Sequence, residues 1–166
     1  MTKISGKVIV LGDNVDTDQI LPGYAMAEPF ETLSNFAMAG APGLDFKDKI
    51  KTCDIMVAGR NFGCGSSREQ APHALKQAGV KLIIAQGFAR IFRRNSINIG
   101  LPVFVADVVD KVKDGDEISV DLSTGEVVVN GETFEFAPLS ETVQRTLSYG
   151  GLIPRVRADL GIDKEA

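Results

Sequence analysis

The chain is organised around residues 59–72, which read Gly-Arg-Asn-Phe-Gly-Cys-Gly-Ser-Ser-Arg-Glu-Gln-Ala-Pro. An apolar run from Ile55 to Ala58 precedes them and predicts a buried strand. The glycines let the backbone turn sharply and approach a ligand, and the alanine-rich segment that follows predicts a helix with Pro72 in its first turn. The stretch therefore predicts a strand, a glycine-rich loop and a helix N-terminus, whose free N–H groups and dipole favour an anion.

Three polar side chains converge on the predicted loop. Arg68 offers a planar fork that suits a carboxylate or a phosphate, and Ser66 and Ser67 offer hydroxyl groups. These residues alone leave two interpretations open, a ligand site or a glycine-rich turn with a serine cap and a surface arginine. A nucleotide phosphate loop is disfavoured, because the stretch lacks the Walker lysine and the spacing of the dinucleotide fingerprint.

Composition narrows the class of protein. The 166 residues suffice for one domain with a core, and 44% hydrophobic with 24% charged residues is typical of soluble globular proteins. The net charge of −4 argues against a nucleic-acid groove, and no apolar run approaches the length of a membrane span. We therefore expect neither a nucleic acid nor a membrane as a partner. The N-terminus lacks the apolar core of a signal peptide.

The chain contains two cysteines, Cys53 and Cys64, and one histidine, His73. Free thiols favour a cytoplasmic protein, and three such residues cannot build a convincing metal site by themselves. Cys64 lies inside the central stretch, where we interpret it as a small buried residue, with a reactive thiol as the alternative.

Apolar runs and turn residues predict alternating strands and helices in the first two thirds of the chain. The predicted strands cover residues 4–11, 55–58, 82–85 and 103–105, and the predicted helices cover residues 31–39, 69–78 and 88–97. In the last of these helices we expect Phe88, Ile91 and Phe92 to face inward and the arginines outward. This order implies parallel strands joined by right-handed crossovers.

The pattern changes after residue 116. Short predicted strands cover residues 118–122, 126–129 and 133–136, and Ser-Thr-Gly and Asn-Gly turns separate them. A last helix is predicted over residues 140–149 with Ser140 as its N-cap, and residues 158–166 look frayed. The predicted fold class is α/β, with a mostly parallel central sheet and a small antiparallel appendage, in one domain spanning residues 1–166.

Residues 12–23 form a predicted loop that is rich in carboxylates. Asp13, Asp16 and Asp18 fall within six positions. One interpretation is a solvated acidic turn; an EF-hand is excluded because the later glycine and glutamate are out of place. The apolar residues within this loop indicate that it packs against the body of the protein, which favours a site.

Three segments together resemble a known family. Residues 15–22 read Val-Asp-Thr-Asp-Gln-Ile-Leu-Pro, residues 59–70 contain Gly-Ser-Ser-Arg-Glu, and residues 87–102 run from Gly-Phe-Ala-Arg-Ile-Phe to Gly-Leu-Pro. They are similar to the swivelling β/β/α domain of the aconitase superfamily, and in particular to the small subunits of 3-isopropylmalate dehydratases. The similarity extends from about Gly6 to about Pro154. The Gly-Ser-Ser-Arg-Glu motif with Asp-Thr-Asp upstream is its specific part.

The resemblance implies one subunit of a hydro-lyase that interconverts 2-isopropylmalate and 3-isopropylmalate in leucine biosynthesis. It implies a large iron–sulfur subunit as the partner, in a heterodimer or heterotetramer, with a [4Fe–4S] cluster on that subunit and no cofactor in this chain. By similarity, Ser66 is the base that takes the proton from the substrate Cα. Ser67 and Arg68 bind a substrate carboxylate, and Asp18 and Thr17 support the site.

The substrate is expected to be an alkylmalate. By resemblance, the segment after the Asp-Thr-Asp loop contacts the variable substituent, and here Tyr24, Ala25 and Met26 offer apolar surface. Relatives that take an extra carboxylate place an arginine there, whereas this sequence has none before Arg60. The alternatives are 2,3-dimethylmalate dehydratase, homoaconitase or another 2-alkylmalate dehydratase. A stand-alone carboxylate-binding module is the alternative that is not an enzyme.

Overall fold

The computed structural model describes residues 3–162, and its strands form one continuous sheet. The strands are β1 (Lys3–Val10), β2 (Ile55–Ala58), β3 (Leu82–Ala85), β4 (Val103–Val105), β5 (Glu117–Asp121), β6 (Glu126–Val129) and β7 (Glu132–Glu135). They lie in the order β4-β3-β2-β1-β5-β6-β7. The bounds predicted for β2, β3 and β4 are confirmed.

Strand β1 joins the two parts of the sheet. Its residues 8–10 pair in parallel with β2, and its residues 3–7 pair antiparallel with β5. Strands β1 to β4 are parallel, and β5, β6 and β7 continue from β1 as an antiparallel meander. The predicted parallel sheet with an antiparallel appendage is confirmed, and the two parts share a strand.

Helices connect and cover the strands. The α-helices are α1 (Thr17–Ile20), α2 (Phe46–Lys49), α3 (Gln70–Ala78), α4 (Arg90–Asn98), α5 (Glu141–Ser148) and α6 (Leu152–Asp159). Short 3₁₀ helices cover Gly23–Ala27, Phe30–Phe36 and Val109–Lys111. The predicted N-cap of α5 is confirmed, because the Ser140 side chain accepts a hydrogen bond from the Val143 N–H at 3.2 Å.

Helix α6 was not predicted from the sequence. Gly151 is the N-cap residue of α6, and Pro154 is its third residue, where an α-helix has no internal partner for the N–H that proline lacks. The predicted fraying of residues 158–166 stays a prediction, since Ala158 and Asp159 are the last residues of α6 and residues 163–166 lie outside the described residues.

The sheet is covered on both faces. Ile9, Met56 and Ile83 belong to an apolar cluster with α3, while Val57 and Ile84 belong to a second cluster with the meander. Burial on both faces explains why β2 and β3 are continuous apolar runs in sequence. Because the strands themselves are buried on both faces, polar groups that could bind a ligand lie on the loops at the carboxyl ends of the parallel strands. Ligands of α/β sheets usually bind at this edge.

Candidate active site

Three loops meet at the carboxyl ends of the parallel strands. Residues 11–16 follow β1, residues 59–69 follow β2, and residues 86–89 follow β3. Because β2 lies between β1 and β3 in the sheet, the loop that carries Gly-Ser-Ser-Arg lies between the other two.

Backbone hydrogen bonds attach the central loop to the loop after β1. The Gly63 N–H donates to the Val15 carbonyl at 2.7 Å, and the Thr17 N–H donates to the Cys64 carbonyl at 2.8 Å. Cys64 itself is half-buried. These bonds set the position of the Asp-Thr-Asp segment relative to the serines of the central loop.

The other side of the central loop is attached to the loop after β3. The Phe62 N–H donates to the Gly87 carbonyl at 3.0 Å, and the Ala89 N–H donates to the Phe62 carbonyl at 2.9 Å. The Phe62 ring is fully buried and packs edge-on against Phe92 of α4, with ring centroids 5.3 Å apart. The start of α4 is therefore held against the central loop.

The three aspartates of the acidic loop have separate roles. An Asp13 oxygen accepts a hydrogen bond from the Arg60 N–H at 2.8 Å, and this bond lowers the pKa of the Asp13 carboxyl below its usual value. Asp16 caps α1 by accepting a hydrogen bond from the Gln19 N–H at 2.9 Å. Asp13 and Asp16 therefore stabilise the loop itself, and Asp18 is the carboxylate that turns to the predicted site residues.

Asp18 pairs with Arg68. Arg68 Nη1 donates to an Asp18 oxygen at 2.6 Å and to the Leu21 carbonyl at 3.0 Å. The Asp18 side chain is 71% exposed and that of Arg68 is 19% exposed, so the pair contributes at most about 1 kcal/mol to stability. Its effect is to hold the guanidinium. Among residues 3–162, no group accepts a hydrogen bond from Arg68 Nε or Nη2.

Ser66 lies beside Thr17. Their hydroxyl oxygens are 3.2 Å apart, which is a hydrogen-bond distance. Thr17 is buried while Ser66 is exposed, so the buried hydroxyl orients the accessible one. Gly65 makes this approach possible, because its φ is +104° and a Cβ there would lie 3.0 Å from Thr17 Oγ1.

A cavity of about 240 Å³ opens next to this pair. It is lined by Thr17, Gly63 and residues 65–68 from the first two loops, and by residues 89–92 and Asn95 from the start of α4. Ser66, Ser67 and Arg68 are thus brought to one cavity. Arg90 and Asn95 were not predicted from the sequence; the signal for them was that α4, which carries both, follows β3, the strand next to β2.

The cavity is electropositive. Arg68 and Arg90 line it, and no aspartate or glutamate of the described chain does so. The first turn of α4 also lines it, and the N-cap residue Ala89 has no side chain that could accept from the free N–H groups there. The sequence assigned the anion-favouring helix end to α3, whereas the helix end that lines this cavity is that of α4. The arrangement suits a carboxylate.

The prediction that Ile91 faces inward is wrong. Ile91 is 44% exposed, and it lines the cavity. The inward face had been inferred by counting Phe88 as part of the helix, but α4 begins at Arg90 and buries Phe92, Ser96 and Ile97. Ile91 therefore offers apolar surface to a ligand.

The segment predicted to read the substrate lies outside the cavity wall. Ala25 is fully buried, Met26 packs partly buried on the core, and Tyr24 is 67% exposed. The segment nevertheless begins close to the cavity, since a Cβ on Gly23 would lie 3.7 Å from Arg68 Nη2. Contact of Tyr24, Ala25 and Met26 with a substrate stays a prediction.

The one histidine of the sequence is not part of this cavity. His73 packs edge-on against Phe30, with ring centroids 4.8 Å apart, and burial lowers the pKa of its imidazole. The two cysteines are unpaired, and within residues 3–162 no three His, Cys, Asp or Glu side chains are grouped so that they could hold a metal ion. The described helices are all too short or too polar to cross a bilayer.

Comparison with known proteins agrees with this geometry. Residues 14–107, which contain the loops after β2 and β3 and the Asp-Thr-Asp segment, match the model of the aconitase C-terminal domain. The chain belongs to the aconitase C-terminal domain family. The crystal structure of 3-isopropylmalate dehydratase from Methanocaldococcus jannaschii superposes with a TM-score of 0.87 at 40% identity, covering 95% of each chain. The predicted fold class is thereby confirmed.

Three relatives of this aconitase-family chain carry different names. A methanogen homoaconitase small subunit from Methanothermobacter thermautotrophicus is 50% identical over 90% of this chain and 88% of its own length. An isopropylmalate/citramalate isomerase small subunit from Methanocaldococcus jannaschii is 48% identical over 93% and 94%. A 3-isopropylmalate dehydratase small subunit from Thermodesulfovibrio yellowstonii is 41% identical over 97% and 98%.

Two glycine-to-alanine substitutions test how the aconitase-family site is packed. Gly63 has a φ of +84°, and a Cβ there would lie 2.3 Å from Phe92 Cγ, whereas nothing lies within 4 Å of a Cβ on Gly12. Gly63→Ala should lower the free energy of unfolding by about 1–3 kcal/mol, because Phe92 must move. Gly12→Ala should change it by less than about 0.5 kcal/mol. Urea unfolding measures both, and equal stabilities would contradict the packing described.

Proposed function

We propose that this chain is the small subunit of a 3-isopropylmalate dehydratase, a hydro-lyase of leucine biosynthesis that acts together with a large subunit. The observation that carries the proposal is one electropositive cavity holding the Ser66 hydroxyl and the Arg68 guanidinium. The names of the relatives support it, since several are small subunits of this enzyme at 41–46% identity. We also propose that the chain is a single domain, because all strands of residues 3–162 share one sheet.

Ser66 acts as the general base in this proposal. Elimination of water from an alkylmalate requires removal of a proton from the carbon next to a carboxylate. A serine alkoxide is costly in water, so it needs donors that are already oriented when the charge develops. The Thr17 hydroxyl, 3.2 Å from Ser66 Oγ, and the positive end of α4 are such groups at this cavity.

Arg68 and Ser67 bind the substrate carboxylate in this proposal. Asp18 and Leu21 hold Arg68 through Nη1, so the remaining donors of the fork can meet a carboxylate in one orientation. Each charged hydrogen bond of this kind contributes about 1.5–3 kcal/mol. The carboxylate then fixes the reacting carbon relative to Ser66, which lowers the barrier through orientation.

The partner completes the site. By family resemblance we assign a [4Fe–4S] cluster to the large subunit, since this chain has only two cysteines. When bound there, such a cluster supplies a Lewis acid for the hydroxyl group that leaves. The heterodimeric or heterotetrameric assembly and a cytoplasmic location are parts of the same proposal.

An alkylmalate is the proposed substrate. The most similar relatives include enzymes named for isopropylmalate, citramalate and homoaconitate chemistry, so their names alone do not select one. The absence of arginine before Arg60 and the exposed Ile91 favour an apolar substituent. One observation favours the homoaconitase alternative, namely that Arg90 lines the same cavity as Arg68 and could meet a further carboxylate.

Reconstitution tests the proposal. The chain, combined with its large subunit after anaerobic cluster assembly, is assayed with 2-isopropylmalate, homocitrate and 2,3-dimethylmalate. We expect the highest kcat/KM with 2-isopropylmalate and no turnover by either subunit alone. A preference for homocitrate would establish the homoaconitase alternative, and carboxylate binding without turnover in the complex would indicate the binding module.

Replacement of Ser66 tests the base. In the reconstituted enzyme, Ser66→Ala should lower kcat by about 10²–10⁴-fold with little change in KM, because a base acts on the chemical step. Ser67→Ala is the matched control in the same loop and should mainly raise KM, since Ser67 is assigned to binding. The measurement is the steady-state kinetics of both variants. A kcat of Ser66→Ala within about threefold of the parent kcat would refute the base assignment, because loss of a general base should cost far more.

Replacement of Met26 tests the specificity segment. Met26→Arg should lower kcat/KM for 2-isopropylmalate and raise it for homocitrate, because buried methyl groups contribute about 0.8 kcal/mol each and a carboxylate needs a cation. Ala27→Arg places the same charge one residue further, at an exposed position, and is the control. An unchanged ratio of the two kcat/KM values in Met26→Arg would show that this segment does not read the substrate.

A further inference from the structure

A second cavity adjoins the first and is lined by arginines. It has a volume of about 300 Å³ and lies between α4, α5 and α6. Arg90, Arg93, Arg94 and Arg155 line it, and we call it the arginine groove. Within residues 3–162, no aspartate or glutamate lines the groove, although the whole chain carries a net charge of −4. Arg90 lines both cavities, so the groove borders the candidate active site.

The arginines on α4 oppose the stability of their own helix. Arg90, Arg93 and Arg94 are spaced i, i+3 and i+4, so their side chains are neighbours on one face, where like charges repel. They also lie in the first half of α4, at the positive end of its dipole, where cations are unfavourable. None of the three has a carboxylate partner in the described part of the chain. An anionic group from outside residues 3–162 would remove this repulsion.

Arg155 of α6 offers a further donor in the same groove. Its side chain is only 21% exposed, and Nη1 donates to Thr146 Oγ1 at 2.8 Å. Its Nε is buried and has no hydrogen-bond partner in the described chain, since the nearest carboxylate oxygen, on Asp159, lies 3.8 Å away and that carboxylate also pairs with Arg145. The groove thus combines a preoriented guanidinium with the unpaired arginines of α4.

We propose that the arginine groove docks an acidic segment of the large subunit; this inference rests on the proposed function, which supplies that partner. Arg90 is shared with the cavity that the partner must complete, so a subunit covering the cavity also borders the groove. The lining of the groove also contains the half-exposed apolar side chains of Val143 and Leu152. Arginine beside exposed apolar surface is typical of a protein interface, whereas a small free anion would leave that apolar surface uncovered.

Charge reversal tests the docking surface. The variant Arg93→Glu/Arg94→Glu avoids Arg90 and so leaves the cavity residues unchanged. The control Lys111→Glu/Lys113→Glu makes the same change in net charge at two exposed positions outside the groove, and it also removes the contact of Lys111 with the Phe134 ring. Calorimetric titration with the purified large subunit should show association weakened about tenfold or more at low salt for the first variant only. The salt dependence of its Kd should also become shallower.

Two further readouts separate docking from folding and from catalysis. The isolated Arg93→Glu/Arg94→Glu chain should melt at the same or a higher temperature than the parent, because the substitution removes repulsion at the start of α4. At saturating large subunit, kcat should equal that of the parent. If 2-isopropylmalate proves not to be the substrate, the proposed function fails while the association result stands on its own.

Three outcomes would overturn the docking proposal. The first is parental affinity of the groove variant for the large subunit. The second is an equal loss of affinity in the lysine control, which would indicate that association depends only on the net charge of the chain. The third is unchanged subunit association together with loss of citrate or phosphate binding by the isolated variant, which would assign the groove to a small anion.

Discussion

The hydrogen bonds between the loops after β1 and β2 are the constraint on which the site depends. They run from the Gly63 N–H to the Val15 carbonyl and from the Thr17 N–H to the Cys64 carbonyl. Because they fix the start of α1 against the central loop, the Thr17 hydroxyl meets Ser66 and the Asp18 carboxylate meets Arg68. Thr17 and Ser66 thereby act together although they are 49 positions apart in sequence. The same holds for Asp18 and Arg68, which are 50 positions apart.

The same packing concentrates positive potential at one edge of an acidic protein. Arg68 and Arg90 line one small cavity, and the start of α4 adds its dipole. The Arg68–Asp18 pair is too exposed to add much stability. Its function is orientation, because a held Nη1 leaves the rest of the fork directed to a ligand. The groups of this chain that attract an anion therefore lie together at the place where a carboxylate would bind.

Much of the fold could be predicted from the sequence, because β2 and β3 are apolar runs bounded by glycine and helix signals, and burial on both faces requires such runs. Thr17 and Asp18 could be grouped with Ser66 and Arg68 only through the family resemblance, since no local pattern specifies which loops become neighbours. Arg90 was missed because it reads as a surface position on an amphipathic helix. Its role at the cavity follows from strand order, which depends on the tertiary fold. Helix α6 was missed because Gly150 and Gly151 indicate only the end of α5, and no capping side chain marks the start of the next helix.

The most direct test of the account is a structure of the two-subunit complex with 2-isopropylmalate bound. We expect one substrate carboxylate on Arg68 and Ser67, and the reacting carbon about 3–3.5 Å from Ser66 Oγ, in the cavity between residues 65–68 and 89–92. A substrate held elsewhere, with Ser66 and Arg68 directed away from it, would contradict the account.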